Sequence, residues 1–251
     1  MKDNIQINGD ALNLRKQFEQ DCFSPIDIFS VIGNQEDLTV VFKPMGDNIS
    51  GICIAFKNNK IIAINSDMTY GRQRFTAAHE LCHLFFHDDL NKVICSKSLD
   101  TEDKKEIEAN KFASYFLVPY SSLRNFIEKN LGKKSGYLEV NDVVKIEQFY
   151  GISRQAILWR LLNEGYISKK AAEKMKTGVI KSAQVLGFDD YLYRPSPENK
   201  KYFTLGKYVR LAEELKQKNI ISKGKYEEYL LDAFRSDIVY GLKEETDETY
   251  D

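Results

Sequence analysis

Histidine is scarce in this chain: 251 residues carry three, and cysteine is hardly commoner at four. Cys22, Cys53, Cys82 and Cys95 form no CxxC pair and no dense framework, which excludes a disulfide-stapled scaffold. No apolar run approaches the roughly 20 residues that a bilayer demands. The opening Met1-Lys2-Asp3-Asn4-Ile5-Gln6 has no apolar signal core. A cytoplasmic protein with free thiols and no membrane partner is the expectation. Internal repeats are lacking as well.

Net charge is also missing, at −1, yet the layout is uneven. Residues 1–120 carry 13 Lys/Arg against 17 Asp/Glu, residues 121–225 carry 21 against 11, and residues 226–251 carry 2 against 9. The basic middle could draw nucleic acid or an acidic partner. The acidic end, Glu244-Glu245-Thr246-Asp247-Glu248, reads as a disordered tail able to screen it.

Two of the three histidines fall in His79-Glu80-Leu81-Cys82-His83. On a helix, residues four apart lie about 40° from one another around the axis. Both imidazoles can then reach one tetrahedral zinc, and Glu80 can reach a water at the open position. Phe75, Ala77, Ala78, Leu81, Leu84 and Phe85 supply the helix formers and its apolar backing. An HExxHxxGxxH site would need Gly at 86 and His at 89, where Phe86 and Asp89 stand, so that class is excluded. His87 lies a further turn along, with its Cα about 12 Å from that of His79. It suits a helix C-terminus, with a role toward a ligand histidine or the substrate. Asp88 and Asp89 read as a solvated helix exit.

The third ligand is expected from the following helix, Glu102 to Val118, capped by Asp100 or Thr101 and ended by Pro119. With Glu106 at zero on the wheel, Asn110 falls near 40° and Ala113 near 340°, whereas Glu108 points about 200° away. Glu106 is therefore the expected ligand, and Asn110 the expected partner of a histidine Nδ1–H. The competing reading of Glu106 is a surface carboxylate in the charged run Glu102-Asp103-Lys104-Lys105.

The run Arg74-Phe75-Thr76-Ala77-Ala78-His79-Glu80-Leu81-Cys82-His83-Leu84, followed by Glu106-x-Glu108-Ala109-Asn110-x-Phe112-Ala113-x-x-Phe116-Leu117-Val118-Pro119, resembles the ImmA/IrrE family of metallopeptidases, gluzincin-like HExxH zinc enzymes. Pro25-Ile26-Asp27-Ile28 and the apolar strand Ile61–Ile64 resemble the same family. The similarity runs over about residues 10–165. Cys82 departs from it, standing where the family usually has Gly; a small buried residue is the expectation there. The resemblance implies a zinc-dependent endopeptidase that cuts a helix-turn-helix repressor and so derepresses genes of a mobile element or a stress response.

Fold class is expected to be α+β and mostly helical. A small twisted sheet would pack on the HExxH helix and the third-ligand helix, followed by a helical, helix-turn-helix-like region. Strands are expected at Leu38–Phe42, Ile52–Phe56 and Lys60–Ile64, with helices at residues 10–21 and from Pro25 to Gly33. Further helices are expected near Ser121–Leu131, Val140–Phe149, Ser153–Glu164, Lys169–Lys181, Leu205–Lys218 and Lys223–Phe234. The division would be a metallopeptidase core over 1–119, a helix-turn-helix-like region over 120–187, and an extension with the acidic tail over 188–251. Glu80 is the expected base, taking a proton from water and returning it to the leaving amine. Tyr70, His87 and Tyr120 are the candidates for oxyanion or substrate contact. A second reading draws on Arg154, Gln155 and Arg160 beside the Gly151 turn: a DNA-binding or toxin–antitoxin regulator whose metal is structural.

Overall fold

The computed structural model describes residues 2–87, 92–96, 98–99, 101–133 and 138–241. Asp88, Asp89, Asp100 and the acidic tail lie outside the described residues. The first helix, α1 (Asn4–Gln17), begins earlier than expected because Asp3 and Gln6 cap each other reciprocally. Its buried face is Ile7, Ala11 and Leu14, one helical stripe, with Leu12 left half-buried. Helix α2 (Ile28–Gly33) starts three residues after Pro25. The Ile26 carbonyl there accepts a hydrogen bond from the Arg74 guanidinium and is lost to the helix.

Strands β1 (Leu38–Lys43), β2 (Ile49–Phe56) and β3 (Asn59–Asn65) follow, rich in Ile and Val. β2 and β3 form a hairpin in which Phe56 pairs with Asn59, and Lys57 rather than an Asn takes the positive φ of 52°. Helix α3 (Tyr70–Phe86) comes next, then β4 (Lys92–Ser96), which was not legible as a strand, and α4 (Lys104–Leu117). Asp103 caps α4, accepting from the Lys105 and Glu106 amides, in place of Asp100 or Thr101.

Beyond Pro119 run α5 (Tyr120–Asn125), α6 (Val140–Tyr150) and α7 (Arg154–Asn163). The expected basic helix is broken at Gly178, φ 65°, into α8 (Lys169–Met175) and α9 (Val179–Gln184). The segment expected to open a helix at Leu205 is instead β5 (Phe203–Gly206), after which come α10 (Lys207–Gln217), α11 (Lys223–Asp232) and α12 (Ser236–Tyr240).

The five strands form one mixed sheet in the order β4-β2-β3-β1-β5. β3 lies at its centre, parallel to β1 and antiparallel to β2, and its Ile62 and Ile64 are fully buried. Helix α3 packs on β2 and β3, and α4 packs on α3, so the class is α+β and mostly helical. One apolar core runs from Ile7 to Ala172, spanning the expected boundary at 119. The C-terminal part joins the same sheet through β5, and α10 and α11 share a smaller core of Ala212, Tyr226 and Leu230. Among the described residues no helix is long and apolar enough to cross a membrane.

Candidate metal centre

The face of α3 toward the sheet and α4 is buried from Gly71 to His83, so polar groups there must be paired or held for a purpose. Such burial is reachable because the sequence puts Ala77 and Ala78 before the histidines and Ala109 and Ala113 on α4. These small side chains let the two helices meet closely. His79 and His83 turn their Nε2 atoms toward one another at 3.1 Å. The Glu106 carboxylate straddles them, with Oε2 at 3.3 Å from His79 Nε2 and Oε1 at 3.2 Å from His83 Nε2.

The far side of each ring fixes its tautomer. Asn110 donates through Nδ2 to the Leu99 carbonyl at 3.4 Å, which turns its Oδ1 to His79 Nδ1 at 3.0 Å. An amide oxygen only accepts, so His79 carries its proton on Nδ1 and leaves Nε2 as a lone pair. His83 Nδ1 meets His87 Nδ1 at 2.9 Å, and His87 Nε2 faces Glu108 at 3.7 Å. The negative Glu108 carboxylate at that range favours the proton on His87 Nε2, so His87 Nδ1 accepts from His83 and the His83 Nε2 is left bare. Burial lowers the pKa of His87, against the pull of Glu108. A neutral His87 fits that chain of bonds.

Two bare nitrogens and a carboxylate converging in a buried space repel one another unless a cation sits between them. Ligand atoms around a tetrahedral zinc with bonds of about 2.0 Å stand about 3.3 Å apart. Here the two nitrogens stand 3.1 Å apart, and each faces its own Glu106 oxygen, Oε2 at 3.3 Å from His79 and Oε1 at 3.2 Å from His83. Glu80 is 0% exposed and neither carboxylate oxygen has a hydrogen-bond partner among the described residues. Burial pushes its pKa up, opposed by His79, Cys95, His83 and Cys53. An orphaned buried carboxylate beside such a donor set fits a bound metal ion and its water.

Some expected contacts are not brought together. Tyr70 opens α3, nine residues ahead of His79 and so about 13 Å along the axis. Its ring packs on Phe29 at 5.6 Å and Tyr191 at 4.6 Å. Tyr120, at the start of α5, is exposed and lines a separate cleft with Arg124, Glu128 and Tyr166. His87 sits behind His83 rather than over the open face. Glu108, read as pointing away, is what His87 and Lys2 contact. Cys82 is buried and faces the Lys2–Asp10–Glu108 group, its thiol pushed up by burial.

Three neighbours of the site were missed in the sequence: Gly51, Cys53 and Cys95. A Cβ at Gly51 would stand 2.5 Å from Thr76 Cγ2 and 2.6 Å from Glu80 Oε1. Cys95, on β4, lies with its Sγ 4.0 Å from Glu106 Oε1. His79, His83, Cys95 and Glu106 each offer a ligand atom, all within 4.8 Å of one another. Pairing Cys95 with Gly51 across β4 and β2 brings both here. Only the glycine inside an apolar strand was a signal in the sequence.

The helix-turn-helix-like segment carries its arginines inward. Gly151 makes the turn with φ 64°, and the Arg74 guanidinium lies where its Cβ would project. Arg154 is buried in an ion pair with Glu147 and also donates to the Met175 carbonyl and Ser182. Arg160 is buried over the Tyr115 ring and pairs with Glu164 at 2.5 Å. Neither is placed to meet a DNA base from there, which counts against the second reading, in which both would reach nucleic acid.

A helix with two inward imidazoles four residues apart, backed by a sheet and faced by a carboxylate-bearing helix, defines a metallopeptidase-type domain. The IrrE N-terminal-like domain of peptidase family M78 matches residues 34–162, about half of the chain, and the chain belongs to that family. It is also similar to "Uncharacterized immunity region protein 2" of Bacillus phage phi105, 39% identical over 64 residues. That stretch is 25% of this chain and 40% of the phage protein, so less than half of the relative is covered.

Proposed function

We propose that this chain is a zinc-dependent endopeptidase that cleaves a partner protein of the helix-turn-helix repressor class and so derepresses genes of a mobile element or a stress response. The observation that carries the reading is the convergence of two bare Nε2 atoms and the Glu106 carboxylate beside an unpartnered Glu80. His79, His83 and Glu106 would hold the ion, and two imidazoles with a carboxylate suit zinc. Such an ion supplies Lewis acidity, polarising a carbonyl and acidifying water.

Glu80 is the group that moves the proton. Its carboxylate, raised by burial, takes a proton from water at one oxygen and returns it to the leaving amine. Asn110 and His87 hold the two imidazoles in one tautomer and one orientation. β4 is a sheet edge next to the site, so an extended substrate segment can add to it as a further strand. The repressor as substrate draws support from the family and from the phage relative, whose name assigns it to an immunity region.

The test is incubation of the zinc-loaded protein with a helix-turn-helix repressor encoded at the same locus, beside the Glu80→Gln variant. Cleavage by the first and not the second is expected. Equal cleavage by both removes Glu80 from the reaction, and no cleavage of any such repressor removes the substrate class.

A further inference from the structure

Resting on the metallopeptidase reading, we propose that Cys95 is a fourth protein ligand of the metal, closing the site in the free protein until the thiolate is displaced. Three observations carry this. First, the two histidine nitrogens stand 3.1 Å apart with the Glu106 carboxylate against both, and one ligand atom from each of His79, His83, Glu106 and Cys95 lies within 4.8 Å of the others. Ligand atoms in a site containing a thiolate stand about 3.3 to 3.6 Å apart, so a shift of about 1 Å completes the set. A χ1 adjustment on an edge strand supplies such a movement without breaking the sheet.

Second, the thiol is aimed inward by the alternation of β4. Ile94 faces outward and is exposed, while Cys95 is 1% exposed and faces Glu80 and Glu106. The strand is held in this register by the Ser50 hydroxyl, which donates to the Cys95 carbonyl at 3.3 Å. Third, the Cys95 thiol shares its side of the site with Glu80, a fully buried carboxylate. That is the side on which a catalytic water has to stand. A thiolate and a water cannot both occupy it in a four-coordinate site, so catalysis requires the sulfur to leave.

The exchange balances simply. When the ion binds, the Cys95 S–H bond breaks, its electron pair is donated to the metal, and the proton passes to solvent. When an added substrate strand shifts β4, the metal–sulfur bond breaks, the thiolate regains a proton and water enters. No oxidant or reductant is involved. Cys53 is an internal control: it is buried beside Glu80 as well, yet is not one of the clustered donors.

The experiment is cobalt(II) substitution of the full chain under reducing, anaerobic conditions, for wild type, Cys95→Ser, Cys95→Ala and Cys53→Ser. Bound metal is counted by elemental assay. Wild type and Cys53→Ser are expected to bind one ion per chain and show the near-ultraviolet thiolate-to-cobalt charge-transfer band. Both Cys95 variants are expected to bind one ion and lose the band. A wild type that binds one cobalt with no such band, its spectrum matching that of either Cys95 variant, overturns the fourth ligand and leaves the metallopeptidase reading standing. A wild type that binds no cobalt or zinc overturns both. Should one Cys95 variant fail to fold, the other and the wild-type band decide the matter.

Discussion

Gly51 and Glu80 fit each other as hollow and filler. The bare Cα of the strand residue leaves the room in which the helix carboxylate lies, since a Cβ there would stand 2.6 Å from Glu80 Oε1. Replacing Gly51 with Ala is expected to push Glu80 and Thr76 aside, at a cost of roughly 1–3 kcal/mol from overpacking. Denaturant unfolding measures that cost. Metal content should stay at the wild-type level while peptidase activity falls, because the ligands are not touched. An activity equal to wild type would show that Glu80 tolerates displacement.

Asn110 gives a second prediction. Its amide bridges the Leu99 carbonyl and His79 Nδ1, so Asn110→Ala frees the ring to rotate and to change tautomer. Zinc affinity is expected to drop by about 10–100-fold with the helical content unchanged. Competition against a chromophoric chelator reads the affinity, and circular dichroism the fold. Unchanged affinity would mean that packing alone holds the imidazole.

Glu80 is costly to the folded chain without metal. It is fully buried, and burial raises its pKa, so the ionised form is disfavoured. Glu80→Gln is expected to raise the melting temperature of metal-free protein while removing activity, a trade of stability against function. Thermal melts of both proteins in excess chelator decide this; a lower melting temperature for the variant would contradict it.

The arginines of the second helical region are structural. Truncating Arg154 to Ala leaves Glu147 buried without its cation, and unfolding free energy should fall by about 3–5 kcal/mol. Gln155→Ala, at the exposed neighbouring position, should change it by less than about 0.5 kcal/mol. Paired urea titrations measure the difference. Equal small effects would return Arg154 to the list of surface groups available to a ligand.

Much of the architecture could be read beforehand because its signals are local. The β-branched runs of β1, β2 and β3 and the apolar spacing of α3, α6 and α7 are properties of a few neighbouring residues. β4 and β5 escaped notice since each is short and exists through its partner. β5 pairs with β1 from more than 160 residues away in the chain, and β4 pairs with β2 across the whole of α3. Tyr70, His87 and Tyr120 are candidates for the open face on residue type and proximity in sequence alone. A helix turns its residues through every direction, so closeness along the chain says little about which side chain faces which.

The sequence alone determined the pairing of His79 with His83 and the position of Glu80 between them, because helix geometry fixes residues four apart on one face whatever surrounds them. It also gave Glu106 and Asn110 one face of their own helix, for the same reason. Only the tertiary structure decided how these two helices meet, which ring nitrogen is left bare, and that Gly51 and Cys95 stand at the site. Those relationships depend on strand register and helix packing. Both are set by burial summed over the whole core, and no short stretch of residues encodes such a sum.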